Sequence, residues 1–116
     1  MLPAKYRLKS REDFNGVFRQ GRAVSNDVLL MKYKKLESRE LKIGFSAGLK
    51  FSKKSSRRNK VKRWMREAVR EMINYIRSGW QIIFLINPKF PYEQIDHALI
   101  QEKIRDLLGK AKLFRP

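Results

Sequence analysis

The chain has 116 residues, 28 of them Lys or Arg against 11 Asp or Glu, for a formal net charge of +17. That length suits one domain with a modest core, and the 42% hydrophobic share supports folding. So one-sided a charge costs stability by self-repulsion and points to a polyanionic partner, with nucleic acid ahead of an anionic membrane surface. With no cysteine, disulfides, thiolate metal sites and a cysteine nucleophile are excluded. No stretch has the apolar length of a transmembrane helix, and the start, MLPAKYRLKS, has no apolar run with a small-residue cleavage site, so a cytoplasmic location is expected.

Residues 1–9 form an extended basic lead-in. Ser10 suits an N-cap and Asp13 the first turn of a helix over 11–20, with Phe14, Val17 and Phe18 on one face and Gly21 as its stop. A brief strand at 22–25 is weakly signalled. VLLMKY, 28–33, is extended in character, and LKIGFSA, 41–47, alternates, with Leu41, Ile43, Phe45 and Ala47 on one face and Lys42, Gly44 and Ser46 on the other. The polar KLESRE between them predicts a hairpin. A basic loop, 48–57, leads to a helix over 58–77 that stops before Ser78-Gly79. QIIFLI, 81–86, flanked by Gly79 and Asn87-Pro88, predicts a buried strand. Ile95, Leu99, Ile100, Ile104, Leu107 and Leu108 then predict a last helix over 95–109, with Gly109 as its end. The order is αββαβα, or αβββαβα if the weak strand forms, with a crossover unit around 41–86. No linker or repeat divides the chain, so one domain over 1–116 is expected.

The helix over 58–77 has two faces at 3.6 residues per turn. Val61, Met65, Ala68, Met72, Tyr75 and Ile76 make an apolar stripe, widened by Trp64, Val69 and Ile73. Asn59, Arg63, Arg66 and Arg70 recur on the opposite side, flanked by Lys62. Arg57, Arg58, Lys60, Lys62 and Arg63 crowd the helix N-terminus, against the macrodipole, where their fields add to that of the free N–H groups. Such an arrangement suits phosphate oxygens. A membrane surface would need apolar groups free to insert, and this stripe is required for the core. Catalytic signals are absent: the single His97 sits beside Asp96 in a surface or capping position, no cluster has metal-ligand spacing and no P-loop occurs. A DNA-binding regulator would need a helix-turn-helix partner before residue 58, and none is evident.

RRNKVKRWMRE resembles the signature helix of the bacterial ribonuclease P protein subunit, whose core is Arg-Asn-Arg followed one residue later by Lys-Arg; here Lys60 takes the place of the second arginine. RLKSREDFNGVFRQGR, LKIGFSAG, QIIFLINP and the final Leu-Leu helix resemble other segments of that family in its order and spacing, so the likeness spans the chain. The resemblance implies an α+β fold, an αβββαβα two-layer sandwich with a central four-stranded, ribosomal-protein-like sheet and a left-handed βαβ crossover. It implies a subunit that binds the catalytic RNA of ribonuclease P and the single-stranded 5′ leader of precursor tRNA. Hydrolysis, with Mg²⁺ held by RNA, would be carried out by that RNA, and no catalytic residue or small-molecule substrate belongs to the protein. Carried over by position, Arg57, Arg58, Asn59, Lys60, Lys62, Arg63, Arg66 and Arg70 would face the catalytic RNA. Arg7, Phe14, Phe18, Lys32, Lys42 and Ser46 would form a leader cleft. Phe14 and Phe18 have two readings, as core residues against the sheet or as stacking faces for unpaired bases. The rival from another class is a free-standing RNA-binding protein of related fold with no part in cleavage.

Overall fold

In the computed structural model, which describes residues 2–116, three helices and four strands alternate in the expected order. They are α1 (Arg11–Gln20), β1 (Arg22–Ser25), β2 (Leu29–Lys35), β3 (Leu41–Ser46), α2 (Ser55–Met72), β4 (Trp80–Ile86) and α3 (His97–Lys110). Met1 of the basic lead-in lies outside the described residues. The rest of the lead-in is not simply extended: Ala4–Tyr6 make one 3₁₀ turn before Arg7 bridges to Ile43.

The weak strand is real. β1 and β2 are the hairpin, pairing Arg22 with Tyr33 through Ser25 with Leu30, and β1 gave little signal because only Val24 is partly buried. The turn is closed by Asn26, whose Oδ1 accepts from the N–H groups of Val28 at 3.1 Å and Leu29 at 2.9 Å.

The predicted β2–β3 hairpin does not form. The sheet order is β1-β2-β4-β3, so β4 lies between them, antiparallel to β2 and parallel to β3. The reason is in the side chains. Ile82, Phe84 and Ile86 are buried on one face of β4, and Gln81 and Ile83 on the other, so this strand needs neighbours on both edges and cover on both sides. β3, with Lys42, Gly44 and Ser46 on one face, tolerates the sheet edge. That edge is itself capped by the lead-in, where the Leu8 N–H donates to Ile43 O at 3.0 Å.

α2 and α3 pack on one face, over Met31, Ile43, Ile82 and Phe84, through Val61, Met65, Ala68 and Val69 and through Ile100, Ile104, Leu107 and Leu108. Each such side chain contributes about 1.5–3 kcal/mol on burial. α1 takes the other face, with Val17 against Leu8 and Ile83, and Phe14 and Leu85 at the margin. Ser10 Oγ caps it by accepting from the Asp13 N–H at 3.3 Å.

Four helix ends differ from expectation, the first being the start of α3, which is His97 and not residue 95. α2 begins at Ser55, so Arg57 belongs to its first turn and not to the loop. Its α-helical part stops at Met72, and the tighter 3₁₀ turn Ile73–Tyr75 changes the phase: Ile76 is buried while Tyr75, assigned to the stripe, is 67% exposed. α3 runs through Gly109 to Lys110, and Lys112 takes the left-handed conformation (φ 57°) that glycine more often supplies. There the Lys112 N–H donates to Gly109 O at 3.1 Å and the Leu113 N–H to Leu108 O at 2.9 Å.

Candidate nucleic-acid interface

α2 starts without a side-chain cap and without an acidic residue in its first turn. Its free N–H groups therefore face solvent amid cations. The cations are not equivalent. Lys60, Arg63 and Arg70 are exposed, as is the neutral Asn59 among them, and Arg63 makes only a loose pair with Glu67 at 3.9 Å. Arg58 is half-buried and donates from Nη1 to Ser52 O at 2.8 Å, so it braces the preceding loop. Arg57 pairs with Glu93 at 3.4 Å and lies 4.6 Å from the Tyr92 ring centre. Lys62 and Arg66 are half-buried and turn toward α1.

Trp64, expected to hold α2 to the sheet, packs at the margin of the main core and also stacks on Tyr92 (centroids 6.4 Å apart, planes 20° apart), which in turn meets Phe51 edge-on. Lys60 Nζ stands 5.4 Å from the Trp64 ring. Tyr92 and Phe51 were missed as parts of this end of α2. Their only signal is aromatic character in polar segments, and nothing local ties them to Trp64.

A cleft of about 440 Å³ opens where the lead-in, α1, β3 and α2 meet. Four cations line it, Arg7, Lys9, Lys62 and Arg66, with the rings of Phe14 and Phe45 and no carboxylate. Its floor is Gly44, where a Cβ would come 2.5 Å from Phe14 Cζ. Arg7 is oriented by donating from Nε to Leu2 O at 2.8 Å. The cleft therefore joins members of both predicted sets, Arg7 and Phe14 with Lys62 and Arg66.

The remaining predicted cleft residues stand around it. Phe14 is half-buried, while Phe18 is 36% exposed with its ring 6.5 Å from that of Phe14. Lys32 Nζ sits 5.4 Å from the Phe18 ring and donates to Phe18 O at 3.5 Å, so these two form an adjoining shelf. Lys42, on the same face of β3 as Gly44, is engaged along the lead-in, donating to Lys5 O at 2.8 Å and pairing with Glu40 at 3.6 Å, and does not line the cleft. Ser46 is half-buried at the end of β3 and is not part of the cleft wall. Sequence reasoning missed Lys9 and Phe45 as cleft residues, since each also suits a plain surface or core role.

A family model described as Ribonuclease P matches residues 2–112. The chain belongs to the ribonuclease P protein family. The ribonuclease P protein component of Thermotoga petrophila is 34% identical over 106 residues, 90% of each chain, and that of a Cyanothece species 29% identical over 130 residues, 98% of each. Among solved structures, the Staphylococcus aureus RNase P protein superposes with a TM-score of 0.83 at 26% identity, covering 95% of this chain and 98% of that one. The Thermotoga maritima protein gives 0.80 at 31% identity, covering 90% and 96%. The mixed four-stranded sheet with its helices is the fold of these proteins. This chain is accordingly the accessory protein subunit of the ribonucleoprotein endoribonuclease that processes tRNA 5′ ends, and its partner is RNA. No helix among the described residues is long and apolar enough to cross a membrane.

Proposed function

We propose that the cleft holds the single-stranded 5′ leader of precursor tRNA while the exposed side of α2 holds the catalytic RNA. The observation that carries this is the composition of the cleft: four cations and two aromatic faces with no carboxylate. Cations neutralise the backbone without reading sequence, and aromatic rings stack on any base, so leaders of varied sequence can be accepted. Lys62 and Arg66 face the cleft while Asn59, Lys60, Arg63 and Arg70 are exposed on α2. One helix thus presents the leader and the catalytic RNA with different sides of itself, which favours alignment of the scissile region against the RNA active site. Arg57 and Arg58 contribute through their field and by bracing the helix start.

The Mg²⁺ used in hydrolysis is assigned to the RNA and the substrate, as membership of the ribonuclease P protein family implies. The protein's own contribution is electrostatic: cations along the leader reduce the repulsion between two RNAs and so lower the Mg²⁺ needed. The expected site of action is the cytoplasm.

Reconstitution tests this. Added to a bacterial ribonuclease P RNA at low Mg²⁺, the protein should restore efficient cleavage of precursor tRNA while cleaving nothing alone. No enhancement, or enhancement that does not change with leader length, would sink the proposal.

A further inference from the structure

A second basic basin lies at the opposite end of α2, about 27 Å from its start. The last residue of β2, the first of β4, the turn after α2 and the segment after α3 converge there. Lys35, Arg77, Lys112 and Arg115 line a space of about 390 Å³ with Ser78 and Trp80, and no carboxylate is among them. None of these four cations takes part in an ion pair among the described residues, whereas Lys42, Arg57, Arg63, Lys103 and Lys110 elsewhere all do. Gathering uncompensated like charges is unfavourable unless a polyanion relieves it.

Two of the cations are held in place. Arg77 donates from Nε to Phe114 O at 3.0 Å and Arg115 from Nε to Ile76 O at 3.3 Å, a reciprocal clamp between the two segments. Their main chains are tied as well, Arg77 N–H to Leu113 O and Arg115 N–H to Tyr75 O, both at 2.7 Å. With Nε engaged, each guanidinium keeps its outer nitrogens for a phosphate. Trp80 is half-buried and packs against Tyr33, ring centroids 5.7 Å apart, which gives the basin an aromatic wall.

A hollow lies between the basin and the cleft, sharing lining residues with the first and neighbouring the second along the chain. Ser78 and Arg115 also line this intermediate hollow of about 300 Å³ together with Lys5, Tyr6, Leu41 and Lys42; its one carboxylate, Glu40, is paired with Lys42 at 3.6 Å. That hollow adjoins the cleft, because Arg7 follows Tyr6 and pairs with Ile43, two residues beyond Leu41. From Gly44 back to Leu41 the strand covers about 10 Å.

We propose that this track carries the precursor leader beyond the cleft: unpaired RNA passes along the β3 edge by Lys5 and Lys42. It then sets phosphates among Lys35, Arg77, Lys112 and Arg115 and a base against Trp80. The inference rests on the cleft being the leader site, and the short distance along β3 to that cleft favours the leader over the catalytic RNA as the occupant.

The test measures binding by holoenzyme reconstituted with a bacterial ribonuclease P RNA, using tRNA mature at its 5′ end and precursors with a leader of roughly four nucleotides or of roughly twelve. Arg77 and Arg115 clamp the chain, so the variant is Lys35→Ser with Lys112→Gly, both exposed, the second at a backbone position that suits glycine. For the native protein affinity should rise at both steps. In the double variant the second step should shrink roughly fivefold or more, and its salt slope should fall by about 1.4, two phosphate contacts at about 0.7 each. An undiminished second step in the variant, or none in the native protein, overturns the track. So does a variant whose main loss is affinity for the catalytic RNA alone. A native protein with no first step but a variant-sensitive second step would refute the cleft and leave the basin standing as the leader site.

Discussion

The ring of Phe14 rests on Gly44: a Cβ there would stand 2.5 Å from Phe14 Cζ and 2.9 Å from Cε1. Gly44 is buried, so the ring has nowhere to retreat without leaving the cleft. Gly44→Ala should therefore cost about 1–3 kcal/mol as an overpacking change. Adding Phe14→Leu should recover part of that loss, and chemical denaturation of both single variants and the double variant reads the coupling.

Phe18 and Phe14 should separate by readout. Phe14 packs beside Leu8, Val17 and Ile83, and Phe14→Ala should cost about 3 kcal/mol of stability. Phe18, 36% exposed, should cost under about 1.5 kcal/mol when changed to Ala. The same change should weaken binding of leader-bearing precursor by roughly tenfold through lost stacking and leave mature tRNA binding as before. A large stability loss from Phe18→Ala, with no leader dependence, would return this residue to the core.

Arg63 and Arg70 project from α2 with little holding them, and an exposed pair such as Arg63 with Glu67 contributes little to folding. Arg63→Ala and Arg70→Ala should each change stability by no more than about 0.5 kcal/mol. Each should reduce affinity for the catalytic RNA and lower the slope of log K against log salt by about 0.9 if a helical segment is bound. Titrations at several salt concentrations give that slope directly.

Asn26 joins the first hairpin to α3. Beyond closing the turn, its Nδ2 donates to Lys103 O at 3.1 Å and Asp106 Oδ2 at 3.0 Å. Asn26→Ala should cost about 1–3 kcal/mol, since backbone donors at the turn lose their acceptor. Alongside, Lys103 lies 2.8 Å from Asp27, and that hydrogen bond lowers the Asp27 pKa and raises that of Lys103; hydrogen bonds from Asn26 and Lys110 lower that of Asp106. Lowered carboxylates stabilise the fold above their ordinary value of about 4, and the contribution is lost as the pH falls through their folded values. The Lys103 contribution is present below the ordinary lysine value and disappears as the pH rises past its raised one. Melting temperatures should be level through neutrality and decline in acid, and Asp27→Asn with Asp106→Asn should make the acid decline shallower.

Lys112 holds a left-handed backbone at the end of α3, which costs a residue with a Cβ about 1 kcal/mol. Lys112→Gly should raise stability by about that amount, read as a higher denaturation midpoint at unchanged m-value.

The elements with strong periodicity were legible. α1, β4 and α3 were placed to within about two residues, and the body of α2 was found though its end was set too late, because their burial patterns repeat at 3.6 or form one continuous apolar run. β1 was nearly invisible because it is held by backbone pairing to β2 and buries almost nothing of its own. The phase change that exposes Tyr75 was hidden for a related reason: a 3₁₀ turn depends on how the chain must leave α2 to reach β4, and propensity does not report that.

By itself the sequence determined the sign and magnitude of the charge, the two-sided character of α2 and the motif RRNKVKR that marks the family. These are properties of residues a turn or two apart, and local geometry is enough to read them. Only the tertiary structure decided that β4 parts β2 from β3, that Trp64 stacks on Tyr92, and that Lys62 and Arg66 share one cleft with Arg7 and Phe14. Those outcomes follow from burying both faces of one strand, a demand that draws together segments dozens of residues apart. The gathering of Lys35, Arg77, Lys112 and Arg115 around Trp80 has the same origin, since four separate element ends meet only once the sheet is closed.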